Sequence, residues 1–123
     1  MKAHIGIDII EIRRIREAIV RHGERFLKRI YTDAELELYQ DKPQSLSARF
    51  AAKEAVMKAL SKPGAVIGWK EIEVLSDTEG KPLVNLYGLA KELAAEAGLS
   101  GIEISLSHTR ENAVALVFGI REV

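Results

Sequence analysis

The chain has 123 residues, 47% of them hydrophobic, which predicts one folded domain with a hydrophobic core rather than a disordered chain. It contains no cysteine, which excludes a disulfide framework, a thiolate nucleophile and a cysteine-based zinc site. The apolar run in "MKAHIGIDIIEI" is broken by Asp8, so it fits neither a signal peptide nor a membrane span. We therefore expect a cytoplasmic protein.

Charge is unevenly distributed, although the 18 basic and 18 acidic residues cancel. Residues 1–30 carry eight Lys or Arg against four Asp or Glu, a net charge of +4, and the remainder carries −4. This asymmetry predicts a basic arm for an acidic partner rather than a surface coated by nucleic acid.

The N-terminal third predicts a strand followed by helices. In "HIGIDIIEI" isoleucine alternates with Gly and Asp8, which is a strand pattern. The isoleucines then change to helical spacing, which predicts a first helix from about residues 10–12 to His22. Gly23 interrupts this helix, and "ERFLKRIY" extends it. "TDAE" at 32–35 is a capping box that begins a helix of about two turns.

The rest of the chain predicts one long helix, four strands and a further helix. Pro43 marks the connection before the long helix, which runs from about Ser45 to Leu60 and ends at "SKPG". "EIEVLSDTEGKPLVNLY" indicates two strands around a turn at Glu79–Gly80. "GLAKELAAEAG" is a helix closed by Gly98, and "IEISLSH" and "NAVALVFGI" are the last strands.

The order of these elements predicts the fold class. With the first helix and its extension counted together, the order is β-α-α-α-β-β-α-β-β, which favours an α+β fold. We expect a mainly antiparallel sheet packed with helices, one of them long and central. The sequence shows no repeat, linker or low-complexity segment, so we expect a single domain over residues 1–123.

The segment "RFAAKEAVMKAL" at 49–60 carries charges in unexpected positions. Lys53 falls on the same helical face as four apolar residues, Leu46, Phe50, Met57 and Leu60. Glu54 and Lys58 share a neighbouring face with small side chains. The simplest interpretation is an i,i+4 Glu–Lys pair on a solvated surface, worth about 0.3–0.5 kcal/mol.

Asp8 and Glu54 are the candidate metal ligands. An acid inside an isoleucine-rich strand is unusual, although an exposed strand face or a cap on the next helix also explains Asp8. Together the two carboxylates could offer hard oxygen ligands to Mg²⁺, leaving other positions for water and phosphate oxygens. Lys58, one turn after Glu54, would direct a cation at the same phosphates.

Two further motifs give only weak evidence of function when each is taken alone. His108 ends the strand "ISLSH", where a histidine is commonly structural or exposed. "EGKP" at 79–82 is most simply a hairpin turn.

The four motifs in order resemble one family. "GIDIIEIRR", "RFAAKEAVMKAL", "GKP" and "ISLSHT" resemble the holo-(acyl-carrier-protein) synthases, the short bacterial class of the 4′-phosphopantetheinyl transferases. The resemblance covers essentially the whole chain. One departure is "SKPGAV", where the family commonly has a Gly-rich turn, and we assign no phosphate contact to it.

The resemblance implies the reaction and its site. The 4′-phosphopantetheine group of coenzyme A would pass to a serine of apo acyl carrier protein, with release of 3′,5′-ADP, in fatty acid biosynthesis. Asp8 and Glu54 would hold Mg²⁺, and with Lys58 would form the catalytic group. The residues implied for coenzyme A binding are Arg49, Lys58, Lys81, Pro82, His108 and Thr109. The proton acceptor for the serine is Glu54 or a metal-bound water, and the sequence leaves both open.

The resemblance also implies partners. Larger relatives contain two similar halves with the site between them, so this shorter chain would form a homotrimer with sites between subunits. Arg49 and His108 would then face the subunit that supplies Asp8 and Glu54. The residues implied for carrier-protein binding are Arg14, Arg21, Arg25 and Phe26. For several of these arginines, the alternative interpretation is a basic surface that is exposed to solvent and binds no partner.

Two other classes of function compete with this interpretation. A nucleic-acid-binding module would use the basic arm, but only Phe26 and Tyr31 could stack on bases there. A metal-dependent nuclease would usually bring more clustered carboxylates than Asp8 and Glu54. We therefore expect neither a nucleic acid nor a membrane as partner.

Overall fold

The computed structural model describes residues 3–121. Its strands are β1 (Ile5–Glu11), β2 (Ile72–Ser76), β3 (Pro82–Leu86), β4 (Gly101–His108) and β5 (Asn112–Ile120). Its helices are α1 (Ile12–His22), α2 (Glu24–Ile30), α3 (Asp33–Tyr39), α4 (Pro43–Ala59) and α5 (Gly88–Glu96), with a 3₁₀ turn at Trp69–Glu71. The strands form two antiparallel sheets, β1-β5-β4 and β2-β3, which confirms the predicted α+β fold.

Two details of the helices differ from the sequence-based prediction. Gly23 has φ +54°, which separates α1 from α2, so four distinct helices precede β2. Pro43 is the first residue of α4, which therefore begins two residues before Ser45. Proline suits this position because its fixed φ is helical and its missing N–H would have no helical partner there.

Helix α4 packs against the inner face of the three-stranded sheet through small side chains. Ala51, Ala52 and Ala55 are completely buried in this contact. A Cβ atom at Gly6 would overlap the backbone carbonyl of Ala55, so only glycine permits the observed approach of β1 to α4. This close contact sets the distance between Asp8, two residues after Gly6, and α4.

The lysine in the apolar stripe of α4 belongs to a buried ion pair. Lys53 Nζ lies 2.7 Å from Glu35 Oε1, and neither side chain is exposed. Nζ also donates to the backbone carbonyls of Trp69 and Ile72, so all three ammonium donors have acceptors. Burial lowers the pKa of Lys53, whereas the carboxylate of Glu35 raises it. Lys53 therefore joins α4 to α3 and β2.

The predicted capping box positions Glu35 for this pair. The backbone N–H of Thr32 donates to Glu35 Oε1 at 2.8 Å, and the N–H of Glu35 donates to Thr32 Oγ1 at 3.2 Å. The other carboxylate oxygen, Oε2, accepts from the N–H of Val74 on β2 at 2.8 Å. One carboxylate thus caps α3, pairs with α4 and anchors β2.

The outer face of the three-stranded sheet is apolar and uncovered in the single chain. Ile5, Ile7 and Ile9 of β1 are 50%, 57% and 67% exposed, and Phe118 and Ile120 of β5 are also exposed. Ile5 lies opposite Phe118 in the β1–β5 register, so these side chains form one surface. Within residues 3–121, none of the helices is both long enough and apolar enough to cross a bilayer.

Candidate active site

Asp8 and Lys58 form the centre of the first part of the site. Lys58 Nζ lies 3.1 Å from Asp8 Oδ1 and donates to the carbonyl of Ile7 at 3.0 Å. The Asp8 side chain is only 15% exposed, although its backbone belongs to a strand with an exposed outer face. Asp8 does not cap the following helix, because the N-cap residue of α1 is Glu11. Between described residues, Lys58 pairs with Asp8 rather than with Glu54.

Glu54 completes a pair of mutually repelling carboxylates. The pKa of Glu54 is raised first by burial and then by the negative charge of Asp8, while Lys58 lowers it. Glu54 lies one helical turn before Lys58 on α4, so it is on the same side of the helix as the Asp8–Lys58 pair. The arrangement favours a cation between the two carboxylates, and carboxylate oxygens are the ligands that Mg²⁺ prefers.

The number of carboxylates limits what kind of metal site this can be. Residues 3–121 contain no cluster of three or more His, Asp or Glu side chains suited to holding a metal. Any metal bound by Asp8 and Glu54 would therefore take its remaining ligands from water or from a substrate. Such an incomplete ligand set is typical of ions that bind together with phosphate groups.

The second part of the site is a cavity of about 800 Å³ on another side of α4. Four of the residues that the sequence predicts for coenzyme A binding line it, namely Arg49, Lys81, Pro82 and His108. Arg49 is 7% exposed, and no carboxylate lies within ion-pair distance of it among the described residues. A buried guanidinium without a counter-charge makes this cavity suitable for an anion.

Lys81 and Thr109 have partners of their own. Lys81 Nζ lies 3.2 Å from Glu103 Oε2, and both side chains are exposed to solvent. The Thr109 hydroxyl accepts from the backbone N–H groups of Glu111 and Asn112, and so shapes the turn between β4 and β5. Thr109 follows His108 directly but does not line the cavity.

The two parts of the site lie on opposite faces of α4. Arg49 and Lys58 are nine residues apart, which corresponds to about 180° around a helix with 3.6 residues per turn. Within one chain, therefore, the arginine of the cavity and the lysine beside Asp8 point in opposite directions. This separation could not be seen from the motif order alone, in which both residues belong to one segment.

The predicted carrier-binding residues lie on the exposed side of α1 and α2. Arg14, Arg21 and Arg25 are exposed and form no ion pair with another described residue. Phe26 is half-buried and packs edge-on against Tyr31, with ring centroids 6.2 Å apart. The surface is basic and has an apolar neighbour, as the sequence predicts.

Sequence reasoning did not identify three aromatic or hydroxyl residues at these surfaces. Tyr39 and Ser76 line the cavity beside Arg49. Trp69 lies next to Arg25 and Phe26 and stacks on Phe50 at 4.7 Å between ring centroids. These residues come from separate elements, so no local sequence pattern connects them to the site.

Comparison with known proteins gives a consistent match. Residues 4–117 match the family model described as the 4′-phosphopantetheinyl transferase superfamily. The chain is 55% identical to a holo-[acyl-carrier-protein] synthase of Dehalococcoides mccartyi, over 93% of this chain and 95% of that protein. It is 46% identical to that of Herpetosiphon aurantiacus, over 94% and 96% of the two chains.

Solved structures have the same fold. The holo-acyl-carrier-protein synthase of Plasmodium yoelii superposes with a TM-score of 0.84 at 29% identity, with both chains fully covered. That of Helicobacter pylori, solved in complex with coenzyme A, superposes with a TM-score of 0.81 at 33% identity, over 92% and 96% of the two chains. The chain therefore belongs to the holo-(acyl-carrier-protein) synthase family of the 4′-phosphopantetheinyl transferase superfamily.

Proposed function

We propose that the protein transfers the 4′-phosphopantetheine group of coenzyme A to a serine hydroxyl of apo acyl carrier protein and releases 3′,5′-ADP. The observation that carries this proposal is the Asp8–Lys58 pair beside Glu54, a set suited to a pyrophosphate with its counter-ion. Family membership and the coenzyme A complex of the Helicobacter pylori relative support the choice of donor.

Asp8 and Glu54 fit a Mg²⁺ ion in this reaction. Both are oxygen ligands, and their mutual repulsion is relieved when a cation binds between them. When bound, the ion would neutralise charge on the phosphoryl oxygens of coenzyme A. Two protein carboxylates leave room for phosphate oxygens and water, as a phosphoryl-transfer site requires.

Lys58 and Glu54 have separate roles in the proposed transfer. Lys58, held by Asp8 and the carbonyl of Ile7, presents a positive charge to the pyrophosphate. The serine oxygen attacks the β-phosphorus, a bond from oxygen to phosphorus forms, and the bond to the leaving 3′,5′-ADP oxygen breaks. Glu54 is the protein group proposed to accept the serine proton, directly or through one water.

The cavity beside α4 is the proposed site for the nucleotide end of coenzyme A. Arg49 and His108 would hold the 3′-phosphate, and Lys81 and Pro82 would lie beside the base. Thr109 would contribute through the turn that positions His108. A guanidinium whose partners are all neutral keeps its net positive charge and can donate hydrogen bonds to a phosphate dianion.

A homotrimer with sites between subunits forms part of the proposal. Because Arg49 and Lys58 point to opposite sides of α4, one coenzyme A molecule contacts both kinds of residue most simply across a subunit boundary. The exposed isoleucines of β1 offer an apolar face that association would cover. Each site would then combine Asp8 and Glu54 of one subunit with Arg49 and His108 of its neighbour.

The basic side of α1 and α2 is the proposed docking surface for the carrier. Arg14, Arg21 and Arg25 would attract an acidic carrier protein, and Phe26 would add an apolar contact. A cytoplasmic location and a role in fatty acid biosynthesis are included in the proposal, because acyl carrier protein is the acceptor.

Mass spectrometry of an acyl carrier protein tests the function directly. The protein is incubated with coenzyme A, Mg²⁺ and apo carrier, and the carrier should gain the mass of one phosphopantetheine group. Asp8→Ala should lower the rate by orders of magnitude with the fold intact by circular dichroism, and excess EDTA should abolish wild-type transfer. Absence of the mass gain with several carriers contradicts the function, and full activity in EDTA contradicts the metal.

A further inference from the structure

The guanidinium of Arg49 is held by neutral oxygens on three sides. Its Nη2 donates to the Tyr39 hydroxyl at 2.9 Å and to the Ser76 hydroxyl at 3.0 Å. Its Nε donates to the carbonyl of Val74 at 3.3 Å. The two hydroxyl oxygens lie 3.0 Å from each other, and the guanidinium carbon lies 3.9 Å from the centre of the Tyr39 ring.

These contacts leave part of the guanidinium free. Three of the five N–H groups of Arg49 have the partners just described, and the two on Nη1 have none among residues 3–121. No buried side-chain nitrogen or oxygen in that part of the chain lacks a partner, so Nη1 is not fully buried and keeps access to solvent. Because Arg49 lines the cavity, this edge of the cation is the part available to a ligand there.

Neutral partners fix the orientation of Arg49 without neutralising its charge. A carboxylate partner would satisfy the cation and compete with an anionic ligand, whereas hydroxyl and carbonyl oxygens leave the net charge in place. An arginine side chain has much rotamer freedom, which binding would otherwise have to restrict. Tyr39 from α3 and Ser76 from β2 restrict it before the ligand arrives.

We propose that Tyr39 and Ser76 are positioning residues that hold Arg49 ready for a phosphate monoester, and that they set the preference for coenzyme A over 3′-dephospho-coenzyme A. The inference rests on the proposed function, in which this cavity takes the nucleotide end of the donor. Coenzyme A carries a pyrophosphate and one separate phosphate monoester on its ribose. The monoester is the group that a single oriented guanidinium can distinguish, because 3′-dephospho-coenzyme A lacks only this group.

Donor selectivity measures the proposed role. The ratio of kcat/KM for coenzyme A to that for 3′-dephospho-coenzyme A is determined for wild type, Tyr39→Phe, Ser76→Ala and Ser76→Thr. Loss of either hydroxyl should reduce this ratio about fivefold or more, mainly through a higher KM for coenzyme A. Ser76→Thr keeps the hydroxyl and should retain most of the ratio. Ser61→Ala is the control and should keep the wild-type ratio, because Ser61 is exposed and does not line this cavity.

A binding measurement separates positioning from a general loss of structure. Titration calorimetry compares 3′,5′-ADP with 5′-AMP, which lacks the 3′-phosphate. Tyr39→Phe and Ser76→Ala should lower the affinity for 3′,5′-ADP and leave the lower affinity for 5′-AMP unchanged. An unfolded variant would bind neither nucleotide.

The possible failures are distinguishable. If wild type transfers nothing from coenzyme A, the proposed function is wrong. If wild type is active and both hydroxyl deletions retain its selectivity, the positioning role is wrong. If Tyr39→Phe does not fold, the comparison of Ser76→Ala with Ser76→Thr decides the question alone.

Discussion

Lys53 and Glu35 form a completely buried ion pair, with Nζ and Oε1 2.7 Å apart, between the central helix α4 and the capped start of α3. Glu54, the proposed metal ligand, is the next residue along α4. The pair thus fixes the rotation of the helix that presents Glu54 to β1, and the charge in the apolar stripe of the sequence has a structural role.

Breaking this pair should destabilise the protein strongly. Lys53→Ala leaves the Glu35 carboxylate buried without its counter-charge, which typically costs about 3–5 kcal/mol. Urea denaturation measures the free energy of unfolding. Lys62→Ala is the control, because the Lys62–Glu96 pair is 57% and 61% exposed and should contribute about 0–1 kcal/mol. Equal unfolding midpoints for the two variants would contradict the role of Lys53.

Gly6→Ala should separate β1 from α4 and inactivate the protein. The added methyl group would overlap the carbonyl of Ala55, and backbone atoms cannot move aside as a flexible side chain can. We expect a loss of more than about 3 kcal/mol in unfolding free energy. Gly101→Ala is the matched control, since its new Cβ would meet no atom within 4 Å. That variant should stay within about 0.5 kcal/mol of wild type, and similar stability of both variants would refute the prediction.

Glu54→Gln should stabilise the metal-free protein at neutral pH while removing activity. The raised pKa means that the folded protein holds a proton on Glu54 more tightly than the unfolded chain does. Wild-type stability therefore falls as the pH rises from the ordinary value of 4.5 through the raised pKa. Below 4.5 the carboxyl is protonated in both states, and the advantage of glutamine should disappear.

Thermal unfolding with and without Mg²⁺ checks this interpretation of Glu54. Added Mg²⁺ should raise the Tm of wild type because it binds only the folded site. The same addition should leave the Tm of Glu54→Gln nearly unchanged. A Glu54→Gln protein less stable than wild type at pH 7 without metal would show that burial and the charge of Asp8 do not raise the pKa of Glu54.

Mixed subunits should recover activity if the site lies between chains. Asp8→Ala and His108→Ala should each be inactive as pure proteins, because each removes one side of every site. After the two are unfolded and refolded together, some mixed trimers should contain an intact site and show measurable transfer. Light scattering gives the assembly state, and a monomer at working concentration would exclude this arrangement.

Arg14→Ala should weaken binding of the carrier protein rather than binding of coenzyme A. Arg14 is exposed on the first turn of α1, directly after the strand that carries Asp8. We expect the KM for the carrier protein to rise about tenfold, which is equivalent to about 1.4 kcal/mol. The KM for coenzyme A should change little. Added salt should weaken carrier binding more in wild type than in the variant, because the variant has lost a screened attraction.

Arg13→Ala provides the comparison for Arg14. Arg13 lies beside it but already contacts Glu17 on its own helix, with 3.6 Å between Nε and Oε1. Its removal should change the KM for carrier much less. A variant of Arg14 with weaker coenzyme A binding and normal carrier binding would instead place Arg14 at the nucleotide site.

Local patterns in the sequence were sufficient to predict the secondary-structure elements and part of the candidate site. Alternating isoleucines predicted β1, and the "TDAE" capping box predicted the start of α3 with both of its hydrogen bonds. Both features depend on contacts between residues a few positions apart, which the printed order contains. The motif order likewise predicted the family, which the match of residues 4–117 to the family model confirms.

Contacts between distant elements were decided only by the tertiary structure. The sequence suggested that Lys58 pairs with Glu54, but the close approach of Gly6 to Ala55 brings Asp8 to Lys58 instead. Lys53 looked anomalous until folding brought Glu35 to it across 18 positions. The hydroxyls beside Arg49 come from α3 and β2, so no spacing in the chain reveals them. Periodicity determines which face of a helix a residue occupies, but only packing determines what that face meets.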